Sequence, residues 1–320
     1  MSAEEGIVGR RSIHLALVEW KSQPVALISV LARSAPRVCL SMNDSVDTVW
    51  DALSSEGRLP DRVLLHIDAT QPGRVLRLHA AVIERLRAHR VALWNERVLD
   101  ISKPAVQRLN RRLGLPHTGA SPLGRPTDRI IVKTFWNARG DNEAALSPDE
   151  RAALGYPPQW RSPLDGAVEY EVLMREQIPS SWWTRRGLFL ERFVTNTEGN
   201  YYRVYLAGAA VAVCAFRSDK LVKRPEHTTT SEAYHLHREV ASEPSLRVVL
   251  PTPISWVFAN AVKFANALGL DYGAVDLVCD DRGTSYVVDV NPTPSRGGEV
   301  SSEFCSHLQS GLGTSSNSRL

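Results

Sequence analysis

Hydrophobic and polar positions alternate along residues 1–100 in a way that predicts a small α/β domain. Three short β-rich runs, RVCL, RVLLHI and RVALWN, begin at Arg37, Arg62 and Arg90. The segments between them, SVDTVWDALSSEG and GRVLRLHAAVIERLRAH, carry apolar residues at helical spacing. The order strand, helix, strand, helix, strand is typical of a sheet with helices packed on it.

A second region begins near Ser102, where SKPAVQRLNRRLGLP predicts a helix that Ser102 caps and Gly114 ends. Further along, DRIIVKTF and LFLERFV predict strands, and NYYRVYLAGAAVAVCAFRS predicts a hairpin. TPISWVFANAVKFANALGL predicts a long helix with Thr252 as its cap. The polar segment KLVKRPEHTTTSEAYHLH predicts a loop or lid, and we interpret His235 and His237 as loop residues rather than a metal-binding pair.

Composition places the chain among ordinary globular proteins. Its 320 residues are 43% hydrophobic and 23% charged, and this length favours more than one domain. The net charge of +3 is too small to favour a nucleic-acid partner. Four scattered cysteines without a CxxC pair indicate core thiols in a reducing compartment. Since no apolar run approaches the roughly 20 residues that span a bilayer, we expect a cytoplasmic protein without a membrane partner.

The candidate chemistry lies at the end of two predicted strands, GAVDLVC and SYVVDVN, which flank the turn DDRGT. Directly opposed residues of an antiparallel hairpin share a face of the sheet. If the turn holds an even number of residues, Asp276 and Asp289 lie on one face, opposed or diagonal. Asn291 follows on the same face because side chains alternate along a strand. The hairpin therefore predicts three converging oxygen donors.

Two carboxylates on one face repel each other unless a cation lies between them. At roughly 4 Å and an effective dielectric constant near 20, the repulsion costs about 4 kcal/mol. Mg²⁺ would remove it, because this ion takes one or two carboxylates and fills its shell from phosphates and water. A solvated surface hairpin is the alternative, but Val287, Val288 and Val290 predict burial, where charges need partners. Gly297 and Gly298 would allow a ligand close to the backbone.

The stretch ALGLDYGAVDLVCDDRGTSYVVDVNPTPSRGG resembles the metal-binding end of the ATP-grasp superfamily. It is most similar to the carboxylate–amine ligases, such as glutathione synthetase, the ribosomal-protein glutamate ligase and D-alanine–D-alanine ligase. That family has a helix ending in Gly-Leu, an Asp strand, and a strand reading acidic-x-Asn-Pro. The resemblance extends over most of residues 102–298 and implies an α/β (α+β) fold. The implied units are an N-terminal α/β pre-ATP-grasp domain (1–100), a small lobe (101–186), a large lobe with the Mg–ATP site (187–300) and a flexible tail (301–320).

The resemblance also implies roles for individual residues and names ATP and Mg²⁺, with two ions, as cofactors. Metal binding falls to the hairpin residues Asp276, Asp289 and Asn291. Nucleotide binding falls to Lys103 and Lys133 at the phosphates, Glu191 and Phe193 in the linker that reads adenine, and Glu198 at the ribose. Catalytic roles fall to two arginines of the strand pair, Arg203 and Arg217.

The implied activity is that of an ATP-dependent ligase that forms an amide or peptide bond through an acyl phosphate. Its substrates would be small-molecule or peptide carboxylates and amines, and a homo-oligomer is left open. One alternative is an ATP-grasp kinase that phosphorylates a small molecule, and another is a non-catalytic nucleotide-binding relative. Three departures from the family pattern bear on the last alternative. Asp289 replaces the usual glutamate, Ser295 replaces a glycine, and WNARGDNEAAL has only Gly140 where the family loop is glycine-rich.

Overall fold

The fold is seen in a computed structural model, whose described residues form a parallel sheet of four strands and two antiparallel sheets of three and five strands. None of the helices in this part of the chain combines the length and apolar character needed to cross a membrane. The described residues are 13–20, 26–41, 44–55, 57–68, 74–136, 144–153, 170–221, 229–242, 250–295 and 301–313.

The N-terminal sheet is parallel, in the order β2-β1-β3-β4, and confirms the alternation of strands and helices predicted for this region. Strand β3 is buried at every position, as expected for a central strand covered on both faces. Strand β1 was not predicted, although its sequence LALVEW is largely apolar. The elements are β1 (Leu15–Trp20), α1 (Ile28–Leu31), β2 (Arg37–Leu40), α2 (Val46–Ser54), β3 (Arg62–His66), α3 (Arg74–Ala88) and β4 (Ala92–Trp94).

The three-stranded sheet is antiparallel, in the order β6-β5-β7. Ile130 and Val132 of its central strand point into a small core with Leu188 and Leu190, which leaves the alternate residues on the opposite face. Because β7 pairs with β5, this sheet extends beyond residue 186, where the sequence suggested a boundary between lobes. The elements are β5 (Arg129–Thr134), α5 (Pro148–Ala153), β6 (Glu171–Met174) and β7 (Leu188–Arg192).

The five-stranded sheet is antiparallel, in the order β10-β9-β8-β11-β12, and forms the centre of the molecule. Helices α4 and α6 cover one face, where Val257 and Phe258 are fully buried against Val204 and Leu277. The other face packs against helix α7 and the N-terminal sheet. The elements are α4 (Lys103–Arg112), β8 (Asn200–Ala207), β9 (Ala210–Arg217), β10 (Thr229–His237), α6 (Thr252–Leu268), β11 (Tyr272–Cys279), β12 (Ser285–Asn291) and α7 (Ser302–Leu312).

The structure corrects the expectation of a flexible tail for residues 301–313, which hold helix α7, whereas residues 314–320 lie outside the described part of the chain. Ser301 caps helix α7 through the Phe304 amide, at 3.1 Å. Phe304, Leu308 and Leu312 recur every four residues and bury one stripe of the helix. Gly311 lets the helix approach strand β8 closely, because a Cβ there would lie 1.9 Å from the Ala207 carbonyl oxygen. The segment was predicted to be flexible because its serine- and glycine-rich composition outweighed these few apolar residues.

The polar segment after Lys220 was also expected to be a loop, but its second half is strand β10, which pairs with β9. Residues 222–228 lie outside the described part of the chain. Helix α6 begins where predicted, but Pro251 rather than Thr252 holds the cap position. Gly269 ends this helix with a φ of 79°, in the left-handed region that glycine adopts readily.

Candidate functional site

The hairpin of β11 and β12 places the two acidic side chains opposite each other. Asp276 pairs directly with Asp289, and Ala274 pairs with Asn291 two residues along the same ladder. A register shift follows immediately, between Asp276 and Leu277. The expected pairing of the two carboxylates is therefore confirmed, and both sit beside an irregularity of the kind that redirects side chains near functional sites.

The Asp276 carboxylate is held by an arginine of the neighbouring strand. Arg203 lies opposite Asp276 in the β8–β11 ladder, and its Nε and Nη2 donate to the two carboxylate oxygens at 2.6 and 2.8 Å. Burial disfavours the charged form of Arg203, but the charge and hydrogen bonds of Asp276 outweigh it and raise the pKa of the guanidinium above its usual value. This two-bond fork fixes both side chains.

The Asp289 carboxylate meets a different cation. Lys103, the first residue of helix α4, forms an ion pair with Asp289 through its Nζ and Oδ1. The same Oδ1 accepts the Val290 amide at 2.9 Å. From the sequence alone, a metal ion was expected to relieve the repulsion between the two acids. The structure corrects this reasoning, because Arg203 and Lys103 already supply a positive charge to each carboxylate.

Asn291 takes part in a local turn. Its Oδ1 accepts the amide of Thr293 at 2.8 Å and the Thr293 hydroxyl at 3.1 Å. A side-chain oxygen bonded two residues ahead is an Asx turn, which fixes the chain as it leaves the strand. In this arrangement Asn291 shapes the exit of β12, and its predicted contact with metal stays a prediction.

The three-stranded sheet contributes a second buried ion pair. Lys133 Nζ lies 2.5 Å from Glu191 Oε2, and the Thr118 hydroxyl donates to Glu191 Oε1 at 2.5 Å. Glu191 is only 1% exposed, so its charge depends on these two partners. Thr118 belongs to the connection between α4 and β5, and nothing in the sequence singled it out. The arrangement holds the Lys133 ammonium at the cavity wall.

Two consecutive backbone amides, at the end of β7 and the start of the linker after it, donate hydrogen bonds to carbonyls of the protein. The amide of Arg192 donates to Thr118 O at 2.7 Å, and the amide of Phe193 donates to Arg129 O at 2.8 Å. The Phe193 ring packs under the Arg129 guanidinium, 4.6 Å away. Glu198 lies beyond the linker, where its backbone carbonyl accepts the Nε of Arg217 at 3.1 Å.

A cavity of about 540 Å³ separates the three-stranded sheet from the five-stranded sheet. Its size is within the range of small-molecule sites, roughly 300–1,000 Å³. Two of the predicted site residues, Arg203 and Asn291, are not among the described residues that line the cavity. Arg203 lies behind Asp276, and Asn291 is held in its Asx turn. The predicted site residues that do line it are Lys103, Lys133, Glu191, Phe193, Glu198, Arg217, Asp276 and Asp289.

The donor set of the cavity fits a magnesium ion that is shared with phosphate. Asp276 and Asp289 offer carboxylate oxygens from adjacent strands, and Mg²⁺ takes one or two such ligands before phosphate and water. Within the described ranges, no group of three or more His, Cys, Asp and Glu side chains could hold a metal by itself. The glycine-poor loop around Gly140 and the pair Gly297 and Gly298 lie outside the described residues.

Comparison with solved structures identifies the fold. The ATP-grasp ligase PsnB complexed with a minimal precursor matches with a TM-score of 0.50 and 15% identity, over 93% of this chain and 99% of that chain. PsnB complexed with precursor peptide PsnA2 and AMPPNP matches with a TM-score of 0.51 and 16% identity, over 94% and 98%. No protein-family model and no curated protein matches the sequence. The chain has the ATP-grasp fold, as its resemblance implied.

Proposed function

We propose that this protein is an ATP- and Mg²⁺-dependent carboxylate–amine ligase that acts through an acyl phosphate. The observation that carries the proposal is the cavity between the two antiparallel sheets. It gathers the cations Lys103, Lys133 and Arg217 on the same walls as the carboxylates Asp276 and Asp289. A triphosphate needs such cations, and its metal ion needs such acids. A fold shared with an ATP-grasp ligase supports the same conclusion.

The chain's own residues then act by binding and positioning. Lys133, fixed by Glu191, and Arg217, at the end of β9, would neutralise phosphate oxygens from two sides of the cavity. Asp276 and Asp289 would hold magnesium, which supplies charge neutralisation at the phosphoryl group as it moves. Arg203 keeps Asp276 in one orientation, so we assign it a positioning role and assign the transition-state contact to Arg217.

The reaction forms and breaks two bonds in turn. A substrate carboxylate oxygen attacks the terminal phosphorus of ATP, the bond to the ADP oxygen breaks, and an acyl phosphate results. An amine then attacks the acyl carbon and loses a proton, and phosphate leaves to give the amide. The protein would accelerate the reaction by holding the reactants close together and by stabilising charge, and not by forming a covalent intermediate with them.

The carboxylate substrate is proposed to be a peptide or a small molecule. One of the similar structures holds a precursor peptide together with AMPPNP. Peptides with acidic side chains are therefore the first compounds to test, followed by free amino acids. The expectation of two magnesium ions also stays a prediction, and metal titration in the presence of an ATP analogue would count them.

The experiment is a screen of carboxylate and amine pairs scored by ADP release, followed by product analysis. A ligase releases ADP and free phosphate and yields an amide for at least one pair. ADP with a phosphorylated acceptor would instead establish the kinase alternative. ATP binding without ADP release for any pair would favour a non-catalytic relative. Asp276→Asn is the matched control, since it removes a proposed metal ligand and should abolish the ADP signal.

A further inference from the structure

The charges at the acidic hairpin cancel within the chain itself. Asp276 and Asp289 carry two negative charges, and their partners Arg203 and Lys103 carry two positive charges. A metal ion that approaches this hairpin without a nucleotide therefore meets a neutral set of groups. It also meets the Lys103 ammonium at the carboxylate it would need. Buried acids with matched cations have little need of a further cation.

The two ion pairs differ in how firmly they are held. Arg203 is fixed by its strand register and makes two bonds to Asp276 at 2.6 and 2.8 Å. Lys103 is also buried, at 2% exposed, but it meets Asp289 through a single ammonium group at the first residue of helix α4 and has no planar fork to fix its orientation. Both Lys103 and Asp289 line the cavity. The lysine can thus turn from the carboxylate to a phosphate without unfolding a strand, whereas Arg203 cannot.

We propose that Lys103 is an internal counter-ion that occupies Asp289 until a triphosphate draws it away. The inference rests on the proposed function, because it takes the cavity as the nucleotide site. In the nucleotide-free protein, Lys103 opposes metal binding at Asp289. In the metal-free protein, Asp289 opposes phosphate binding at Lys103. Each ligand removes the obstacle to the other, so metal and nucleotide bind as a coupled pair.

The sharpest test uses one ligand at a time, because Mg²⁺ and ATP also bind each other directly. Mn²⁺ is titrated into the protein without nucleotide, and free Mn²⁺ is read by electron paramagnetic resonance. Lys103→Met removes the ammonium and retains an apolar side chain of similar length. We expect this variant to bind Mn²⁺ roughly 10-fold tighter than the wild type, within the usual range of coupling energies.

The control is Lys263→Met, which removes a lysine of helix α6 that donates to Leu113 O at 2.8 Å on the surface. Its Mn²⁺ affinity should stay within about two-fold of the wild type, because exposed charges are screened. Equal Mn²⁺ affinity of Lys103→Met and wild type would overturn the inference. Tight Mn²⁺ binding to the nucleotide-free wild type, at the level expected for Lys103→Met, would also overturn it.

The converse test needs only the second ligand. Asp289→Asn releases Lys103 from its ion pair, so a fluorescent ATP analogue in the presence of a metal chelator should bind roughly 5–10-fold tighter than to wild type. Unchanged or weaker metal-free binding would count against the counter-ion role. This variant also serves if Lys103→Met does not fold, which circular dichroism and thermal unfolding would show.

The two levels of the proposal fail in different ways. If the wild type binds the analogue neither with nor without Mg²⁺, the proposed function fails. The Mn²⁺ titration of Lys103→Met still decides the counter-ion role, because it contains no nucleotide. If the wild type binds Mg–ATP and turns it over while both single-ligand tests show no change, only the counter-ion inference fails.

Discussion

Two clusters of ionisable residues on the five-stranded sheet differ in composition: one pairs each acid with a cation, and the other packs histidines against one another. At the cavity, Asp276 and Asp289 each face a cation, Arg203 or Lys103. Elsewhere on the same face, where helix α7 packs, His307 stacks on a histidine of β10 with ring centroids 4.9 Å apart and meets another edge-on at 5.5 Å. The first cluster is matched in charge at neutral pH. The second brings three histidine rings together, and an exposed carboxylate lies beside them.

The comparison shows where the protein can tolerate a change of charge. A matched cluster loses stability or function when one partner is removed, because the remaining charge has no counter-ion. In the histidine cluster, burial and the neighbouring rings lower the pKa of His307, so its effect on stability depends on pH. The expected effects of substitution therefore fall in order, from the carboxylates through the arginine to the histidines.

The largest effect is expected for Asp289→Asn. The change removes one negative charge from the proposed metal site, and electrostatic contacts of this kind are worth about 10²–10³-fold in rate. The variant should still fold, since the Asp289 side chain is 31% exposed, but its melting temperature should fall because the buried Lys103 loses its counter-ion. ADP release measures the first effect, and thermal unfolding measures the second. Turnover close to that of wild type would contradict the assignment of Asp289 as a metal ligand.

Arg203→Met is expected to lower the free energy of unfolding by about 3 kcal/mol, because it leaves Asp276 without its buried partner. The double variant Arg203→Met/Asp276→Leu should recover most of this loss, since it removes both charges. Urea denaturation gives both values. A double variant as unstable as the single one would show that Arg203 acts through packing and not through charge.

Thr118→Val should have a smaller effect on stability, about 1–3 kcal/mol, because it leaves one oxygen of the buried Glu191 without a donor. Valine keeps the shape of threonine and removes only the hydroxyl. Urea denaturation is again the measurement, with Thr197→Val as an exposed threonine control. Equal loss in both variants would mean that the Glu191 contact is not special.

The smallest effect concerns pH and the histidine cluster. Burial lowers the pKa of His307 below 6.5; the neighbouring histidines, His235 and His237, add to this, while hydrogen bonds to Val211 O and Leu236 O oppose it. The unfolded chain therefore takes up a proton first, and stability present above pH 6.5 is lost as the pH falls below it. Glu303 is the acidic neighbour of the cluster, with its Oε1 3.3 Å from His235 Nδ1.

His307→Gln keeps a donor for the two carbonyls and removes the titrating ring. Its melting temperature should therefore fall less than that of wild type when the pH is lowered from about 7.5 to about 5.5, which are about one unit above and below the ordinary histidine pKa. Thermal unfolding at the two pH values checks this. Parallel curves for the two proteins would mean that other groups cause the pH dependence. The cavity between the two antiparallel sheets should be unaffected at neutral pH.

Much of the fold could be predicted from the sequence because its strands and helices have regular apolar periods. The β11–β12 hairpin is the clearest case, since strand alternation and an assumed even turn brought Asp276 and Asp289 to one face. The turn, residues 280–284, has five residues, and the register shift beside Asp276 is what sets the two acids opposite each other. Helix α7 was not predicted because its few apolar residues are separated by serines and other polar residues. Strand β10 was not predicted because an edge strand with one polar face has an amino-acid composition similar to that of a loop.

The partners of the site residues could not be predicted in the same way. The pairing of Arg203 with Asp276 depends on the register of β8 against β11, which are separated by a long stretch of chain. The contact of Lys103 with Asp289 depends on how helix α4 docks on β12. Thr118 reaches Glu191 from an irregular connection. Such contacts are set by tertiary packing, so local patterns carry no signal for them.

The central claim is that the cavity between the two antiparallel sheets binds Mg–ATP, and calorimetric titration with a non-hydrolysable ATP analogue and Mg²⁺ tests it most directly. The variant Lys133→Met/Glu191→Gln removes both members of the buried ion pair, so no unmatched charge is left behind. We predict one nucleotide bound per wild-type chain and binding roughly 10-fold weaker, or more, in the double variant. No binding to wild type, or equal affinity in the double variant, would contradict the account.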